Sequence, residues 1–233
     1  MHRPSHFDKY PTLEQGSEAW LEARRGCTVT ASEVGAACGI DRAKSRATLL
    51  NEKFGPPRKR EPPNYFMQLG HHYEPQIADA FQDQFPGSTM ETYGMNVAHF
   101  PDCPLKLGAS PDRLIEFADG TTALVEIKFT TTGKYSVPIE HMAQMLAQAV
   151  CFGYDRVLYV KWGHDSVDEN NNMVLRACSV QFDPALWERY VFPALHEFAM
   201  MKQRGFATNR NTDYVRQLKA AFAKYVRIAP LEL

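Results

Sequence analysis

The sequence has no paired cysteine motif: its five cysteines, Cys27, Cys38, Cys103, Cys151 and Cys178, are scattered and odd in number. A disulfide framework, a structural zinc site and a cysteine-bound iron–sulfur cluster all need grouped ligands, so reduced thiols are the reading. No run approaches the roughly 18 apolar residues of a membrane span. The first ten residues carry His, Arg, Asp and Lys without an apolar stretch, so no secretory signal and no membrane partner are expected; with the reduced thiols, the expected setting is cytoplasmic. Charge of one sign is also missing. The formal net charge is -1, whereas many nucleic-acid-binding modules are strongly basic because they neutralise several phosphates. Any contact with nucleic acid must then rest on local basic clusters or on metal ions. Internal repeats and low-complexity segments are absent.

What is present is an ordinary globular composition over 233 residues, 44% hydrophobic and 23% charged, enough for one sizeable core. The pattern predicts helices over residues 17–24, 31–38 and 43–53, with Thr30 or Ser32 capping the second. The proline-bounded stretch 55–63 is a loop. Its Arg58-Lys59-Arg60 run reads equally as a phosphate contact or as a solvated surface. Apolar residues at Leu69, Tyr73, Ile77, Ala80, Phe81 and Phe85 give a helix over 67–85. Strands follow over 92–100, 114–117, 123–129, 156–162 and 173–182. A helix over 139–152 interrupts them and makes a strand–helix–strand unit suited to parallel pairing. Two helical segments close the chain, 185–204 (bent at Pro193) and 212–227. This order describes a mixed α/β domain with helices packed over a central sheet.

The informative residues are Asp112 and the run Leu124-Val125-Glu126-Ile127-Lys128. Glu126 and Lys128 are two apart on a strand and point to one face, with Val125 and Ile127 on the other. A hairpin turned at Asp119-Gly120 brings Asp112 beside Glu126. Phosphodiester cleavage needs the phosphate charge neutralised and a water made nucleophilic. Two carboxylates can hold one or two Mg²⁺ ions, and a lysine can orient or deprotonate the water. The competing reading of the same trio is a surface ion pair on an edge strand. Glu74 is either a third carboxylate at the metals or a solvated helix residue. His71 and His72 diverge on their helix and do not make a zinc site.

Several motifs, in order along the chain, carry a resemblance: Glu14-Gln15-Gly16 with Ala19-Trp20, Arg24 and Gly26; Thr30-Ala31-Ser32-Glu33-Val34; Gly70 with Tyr73-Glu74; Ser110-Pro111-Asp112; Glu126-Ile127-Lys128; and Met142-Ala143-Gln144. Over about residues 14–206 the chain resembles the lambda exonuclease family, the YqaJ-type viral recombinases of the PD-(D/E)XK nuclease superfamily. The resemblance implies a single nuclease domain with a helical extension over 209–233. It implies a Mg²⁺-dependent 5′→3′ exonuclease on linear double-stranded DNA, leaving mononucleotides and a 3′ single-stranded tail for a single-strand annealing protein. Two Mg²⁺ ions, replaceable by Mn²⁺, and a homotrimeric ring are implied as well.

By position, Asp112, Glu126, Glu74 and the Ile127 backbone carbonyl would hold metal, Lys128 would act on the water, and Gln144 would support the nucleophile or substrate. Arg24, Ser32 and Ser110 would form a 5′-phosphate pocket, Arg25 being the alternative to Arg24. The chemistry suits the task, since Arg offers a permanently charged planar fork and serine adds neutral donors. If Ser32 opens a helix, the helix dipole adds to the pocket. The chain departs from the family pattern by one extra residue between Gly26 and Ser32, and by Leu146 where some relatives carry a second glutamine. The C-terminal stripe of Tyr214, Leu218, Ala221, Phe222 and Tyr225 reads as core or as a subunit contact. Two other readings of the whole are an endonuclease of the same superfamily and a non-catalytic DNA-binding protein on this fold.

Overall fold

The computed structural model describes residues 2–56, 62, 64–131, 136–164, 166–170, 172–204 and 212–231; the Arg58-Lys59-Arg60 run lies outside them. The first half holds β1 (His6–Tyr10), α1 (Glu18–Arg25), β2 (Val29–Thr30), a 3-10 turn (Ala31–Glu33), α2 (Val34–Cys38), α3 (Arg46–Phe54) and α4 (Tyr65–Gln82). Then come β3 (Thr89–Glu91), β4 (Met95–His99), β5 (Lys106–Ala109), β6 (Arg113–Glu116), β7 (Thr122–Thr130), α5 (Ile139–Phe152), β8 (Arg156–Gly163) and β9 (Arg176–Phe182). The chain closes with α6 (Pro184–Leu186), a π turn (Trp187–Val191), α7 (Phe192–Arg204), α8 (Thr212–Tyr225) and β10 (Val226–Pro230).

Side-chain caps set several of these helix starts. Ser17 accepts the Trp20 N–H, Ser45 accepts the Thr48 N–H, and Asn64 accepts the Met67 N–H, each filling an orphan donor of a first turn. Thr30, rather than Ser32, caps the 3-10 turn in a box with Glu33, whose carboxylate takes the Thr30 N–H at 2.8 Å. α5 runs between Pro138 and Gly153, the latter at φ 77°, a left-handed stop that glycine adopts without strain. Pro193 follows the π turn, where the Phe192 N–H reaches back to Trp187 O. The chain thus departs from regular α geometry in the turn just before Pro193, the residue at which a bend is expected.

The central mixed sheet has the order β10-β9-β8-β7-β6-β3, with β7 and β8 parallel across α5 and the other pairs antiparallel. On one face α4 packs Ile77, Ala78 and Phe81 against Ala123, Val125, Ile127, Leu158 and Val160. On the other, α5 fills the space between this sheet and a second one, of order β1-β4-β5-β2. Strand 92–100 therefore does not extend the central sheet; its core, β4, joins the second. Close approach shapes that sheet at Gly108: a Cβ there would meet Met95 Cε at 2.2 Å and Cys27 Sγ at 2.6 Å. In α8, Leu218, Ala221 and Phe222 are buried in the main core, with Tyr214 and Tyr225 packed at its border. The helix expected over 212–227 stops at Tyr225, and Val226–Pro230 pairs with β9 instead. Pro230 is tolerated because β10 is an edge strand. Among the described residues no helix is long and apolar enough to cross a membrane.

Candidate active site

β7 lies inside the central sheet, between β6 and β8, so Glu126 and Lys128 do not form an ion pair on an edge strand. Glu126 is 0% exposed. A buried carboxylate is costly unless its oxygens are satisfied, and here both are. Oε1 accepts from Lys128 Nζ and, at 2.6 Å, from Gln144 Nε2; Oε2 accepts from Gln148 Nε2 at 2.6 Å. His141, Gln144 and Gln148 fall three and four apart on α5, one stripe of the crossover helix turned onto the face of β7 that carries Glu126 and Lys128.

The hairpin places Asp112. Arg113 pairs with Val125 across β6 and β7, so one step further brings Asp112 opposite Glu126. Asp112 Oδ2 accepts the Ile127 N–H at 2.7 Å. In an extended strand the N–H and C=O of one residue point the same way. The Ile127 carbonyl therefore also faces the gap beyond the first residue of β6. Burial, and after it the charge of Glu126, push the Asp112 carboxyl well above the usual range, with Lys128 and the Ile127 N–H opposing. For Lys128 burial acts downward, but Glu126 and Asp112 outweigh it and raise its pKa, so it is a cation. Two crowded carboxylates with a backbone carbonyl are an all-oxygen donor set. That set suits a hard divalent cation, whose charge relieves the repulsion.

Glu74, on α4, is bound first of all to Arg113: Nη1 donates to Glu74 Oε1 at 2.8 Å and to the Asp112 carbonyl at 2.6 Å. Its charge still acts on Asp112, which places it at the rim of the acidic group. Arg113 as its anchor was not foreseen.

The three residues of the expected phosphate pocket fall into one network. Arg24 Nη2 donates to Thr30 Oγ1 at 3.1 Å and to Ser32 Oγ at 3.3 Å, and its guanidinium stacks 4.5 Å from the Trp20 ring centroid. Trp20 Nε1 donates to Ser110 Oγ at 3.0 Å. Arg25 turns away into exposed ion pairs with Glu18 and Glu22, so of the two arginines Arg24 faces Ser32. The helix-dipole contribution is a weak one: Ser32 sits in a three-residue 3-10 turn ahead of a five-residue helix. A cleft of about 860 Å³ opens beside this network, lined by Trp20, Arg24, Gln15, His71, Glu74 and Arg113 among others.

Gln148 links the two groups. Its amide donates to Glu126 and also, at 3.3 Å, to the Ser110 carbonyl, while the Ser110 hydroxyl meets Trp20 beneath Arg24. Gln15 adds a brace, donating to Pro111 O at 2.9 Å. Leu146 is core, 3% exposed, and the second amide of the site comes from Gln148. The sequence carried a signal for it: a glutamine one turn after Gln144 on the same helix face.

Beneath Lys128, His141 Nδ1 lies 2.9 Å from the Tyr159 hydroxyl. Burial first, then Lys128 and Lys161, push His141 down to about 3. The folded protein thus disfavours its protonation, whereas the unfolded chain binds a proton near pH 6.5. Stability from this residue is present above that value and is lost as pH falls toward 3. Between pH 7 and pH 5 the wild type should lose about 1–2 kcal/mol more than His141→Gln. Urea unfolding of both in EDTA checks it, and parallel pH profiles would refute it.

Residues 19–155, more than half of the chain, match the profile of the YqaJ-like viral recombinase domain. All the residues of both networks but Gln15 lie in that span. A comparison with curated proteins gives no match. Among solved structures, the chain is similar to an alkaline exonuclease of Laribacter hongkongensis, with 25% identity, a TM-score of 0.61, and coverage of 89% of this chain and 99% of that one. The same exonuclease in complex with dAMP matches with the same values. The central sheet and its flanking helices are a PD-(D/E)XK nuclease fold.

Proposed function

The chain belongs to the YqaJ-like viral recombinase family, and from that premise we propose that it is a Mg²⁺-dependent exonuclease degrading linear double-stranded DNA from its 5′ end. The observation that carries the reading is the fully buried Glu126, held by Lys128, Gln144 and Gln148 beside Asp112. A carboxylate buried at such cost, with four polar side chains gathered at and beside it, favours the catalytic reading over a silent scaffold. Asp112, Glu126 and the Ile127 carbonyl are the residues that would hold Mg²⁺, one ion or two, with Glu74 at the rim and Mn²⁺ a workable substitute. When bound, the metal polarises the scissile phosphate and lowers the pKa of water.

The chain's own groups do the rest. Lys128, a cation in the metal-free protein, directs an N–H at the water and offsets charge developing on the phosphate. It can act as a base only after giving a proton to solvent, which neutralising the charge of its carboxylate partners would favour. Gln144 holds Glu126 Oε1 and orients the carboxylate. Arg24, Ser32 and Ser110 receive the 5′-terminal phosphate, and the Trp20 ring fixes the guanidinium plane. Capture of that phosphate one step from the carboxylates selects ends over internal sites. The solved relative binds dAMP, a mononucleotide of the class this reaction releases. The remaining features of the reading are a single nuclease domain working as a homotrimeric ring, with the 3′ tail passed to a single-strand annealing protein.

Linear duplexes blocked or labelled at one end, with and without Mg²⁺, test it directly. The expected result is release of 5′-label first, a surviving 3′ tail, no reaction in EDTA, and intact covalently closed circles. Cutting of closed circles would establish the endonuclease reading instead, and loss of 3′-label first would reverse the polarity.

A further inference from the structure

On the second sheet, away from the strands that carry Asp112 and Glu126, three metal-ligating side chains converge. His6 and His99 are direct partners across the antiparallel pair β1–β4. Asp8, two residues beyond His6, points to the same face. One ligand atom from each of the three lies within 4.8 Å of the others. His99 Nε2 is 2.7 Å from Asp8 Oδ2, and the His6 and His99 rings stack at 4.1 Å between centroids. Among the described residues this is the one group of three or more His, Cys, Asp or Glu arranged so closely.

Ser5 sets the chemistry of the histidine on the edge strand. Its hydroxyl donates to the His99 carbonyl at 3.1 Å and lies 3.4 Å from His6 Nδ1, within reach of a proton on that nitrogen. A proton held on Nδ1 leaves Nε2 as the unprotonated, metal-binding nitrogen. A hydrogen bond from the non-ligating ring nitrogen is the usual support of a metal-bound histidine. On the other side, His99 Nε2 and Asp8 Oδ2 face one another at 2.7 Å, so a cation drawn between them would meet one nitrogen and one oxygen ligand. Stacked rings point their lone pairs side by side, so binding requires His6 to turn. It is exposed on the outer strand of the sheet, and no buried group has to move with it.

We propose that His6, Asp8 and His99 form a second divalent-cation site, selective for a borderline transition metal such as Zn²⁺ or Co²⁺ over Mg²⁺, that pins the edge strand β1 to β4. Two imidazoles with one carboxylate favour that class, just as the all-oxygen set at Asp112 favours Mg²⁺. The site is structural: it joins two neighbouring strands at the border of a sheet.

The test uses the full chain with any affinity tag removed, stripped with EDTA and titrated with Zn²⁺ by calorimetry, beside His6→Ala. The carboxylate site also takes Zn²⁺, so the reading is the difference between the two proteins. One equivalent should be missing from His6→Ala, and Zn²⁺ should raise the thermal midpoint of the wild type more than that of the variant. Co²⁺ should add visible absorption bands to the wild type that His6→Ala lacks. Equal stoichiometry and equal thermal shifts in both proteins would overturn the site. Mg²⁺-dependent nuclease assays read the Asp112 centre separately, so failure of one assignment does not touch the other.

Discussion

Asp112→Asn should abolish Mg²⁺-dependent digestion of linear duplex, by about 100-fold at the least, while the protein stays folded and no less stable. The two halves of that expectation have one cause. Burial and the neighbouring Glu126 raise the folded-state pKa of Asp112, so its ionised form costs stability at neutral pH. That cost is absent below the unfolded pKa, grows as pH rises above it, and is complete once pH has passed the folded value. A neutral amide removes it, and the amide oxygen still accepts the Ile127 N–H that now meets Oδ2 at 2.7 Å. What is lost is the anionic oxygen a divalent cation requires. Lys128→Ala should lose a comparable share of activity but behave differently in unfolding. It leaves Glu126, which is 0% exposed, without its cation. Breaking a buried pair costs up to about 3–5 kcal/mol, and the two glutamine amides on Glu126 cushion part of it. Mg²⁺ should restore part of the stability lost in Lys128→Ala and should change the stability of Asp112→Asn little. Normal digestion by either variant would sink the assignment of this centre. A destabilised Asp112→Asn would show that the carboxylate is structural.

The unit β7–α5–β8 was readable in the sequence because its strands are long and β-branched and its helix has a clean apolar period. The parallel pairing followed from the crossover. The second sheet was not, because β2 has two residues, and β5 has four, including Gly108. Such strands exist only because tertiary neighbours supply their partners. The interior position of Glu126 was out of reach for a related reason: Leu-Val-Glu-Ile-Lys reads the same on an edge strand and on a central one, and only strand order separates the two. Gln148 sits among Ala147, Ala149 and Cys151, all buried, and apolar surroundings hide a polar residue whose partner is a buried carboxylate. The choice between Arg24 and Arg25 likewise rests on Glu18 and Glu22 claiming one of them, and on a contact between Trp20 and Ser110, 90 residues apart.

Arg24→Ala should lower the rate on 5′-phosphorylated ends by about 10–100-fold, the equivalent of one or two charge-assisted hydrogen bonds, and change the rate on 5′-hydroxyl ends far less. The geometry gives the reason for the asymmetry. Arg24 is held by Thr30, Ser32 and the face of Trp20, so its guanidinium is fixed in plane before substrate arrives. Little side-chain entropy is then spent on binding. Its link to the acidic centre runs through neutral groups, Trp20, Ser110 and Gln148. Losing Arg24 therefore leaves the charge balance at Asp112 and Glu126 in place. Arg24→Lys keeps the charge but not the planar fork or the stacking, and should fall between wild type and alanine. Ser32→Ala removes one neutral donor and should cost about tenfold or less. Parallel assays on duplexes that differ only in the terminal phosphate decide the matter. Equal losses on both kinds of end would show that Arg24 supports the fold around Trp20 without reading the phosphate. A selective loss would tie end recognition to a pocket one amide, that of Gln148, away from Glu126.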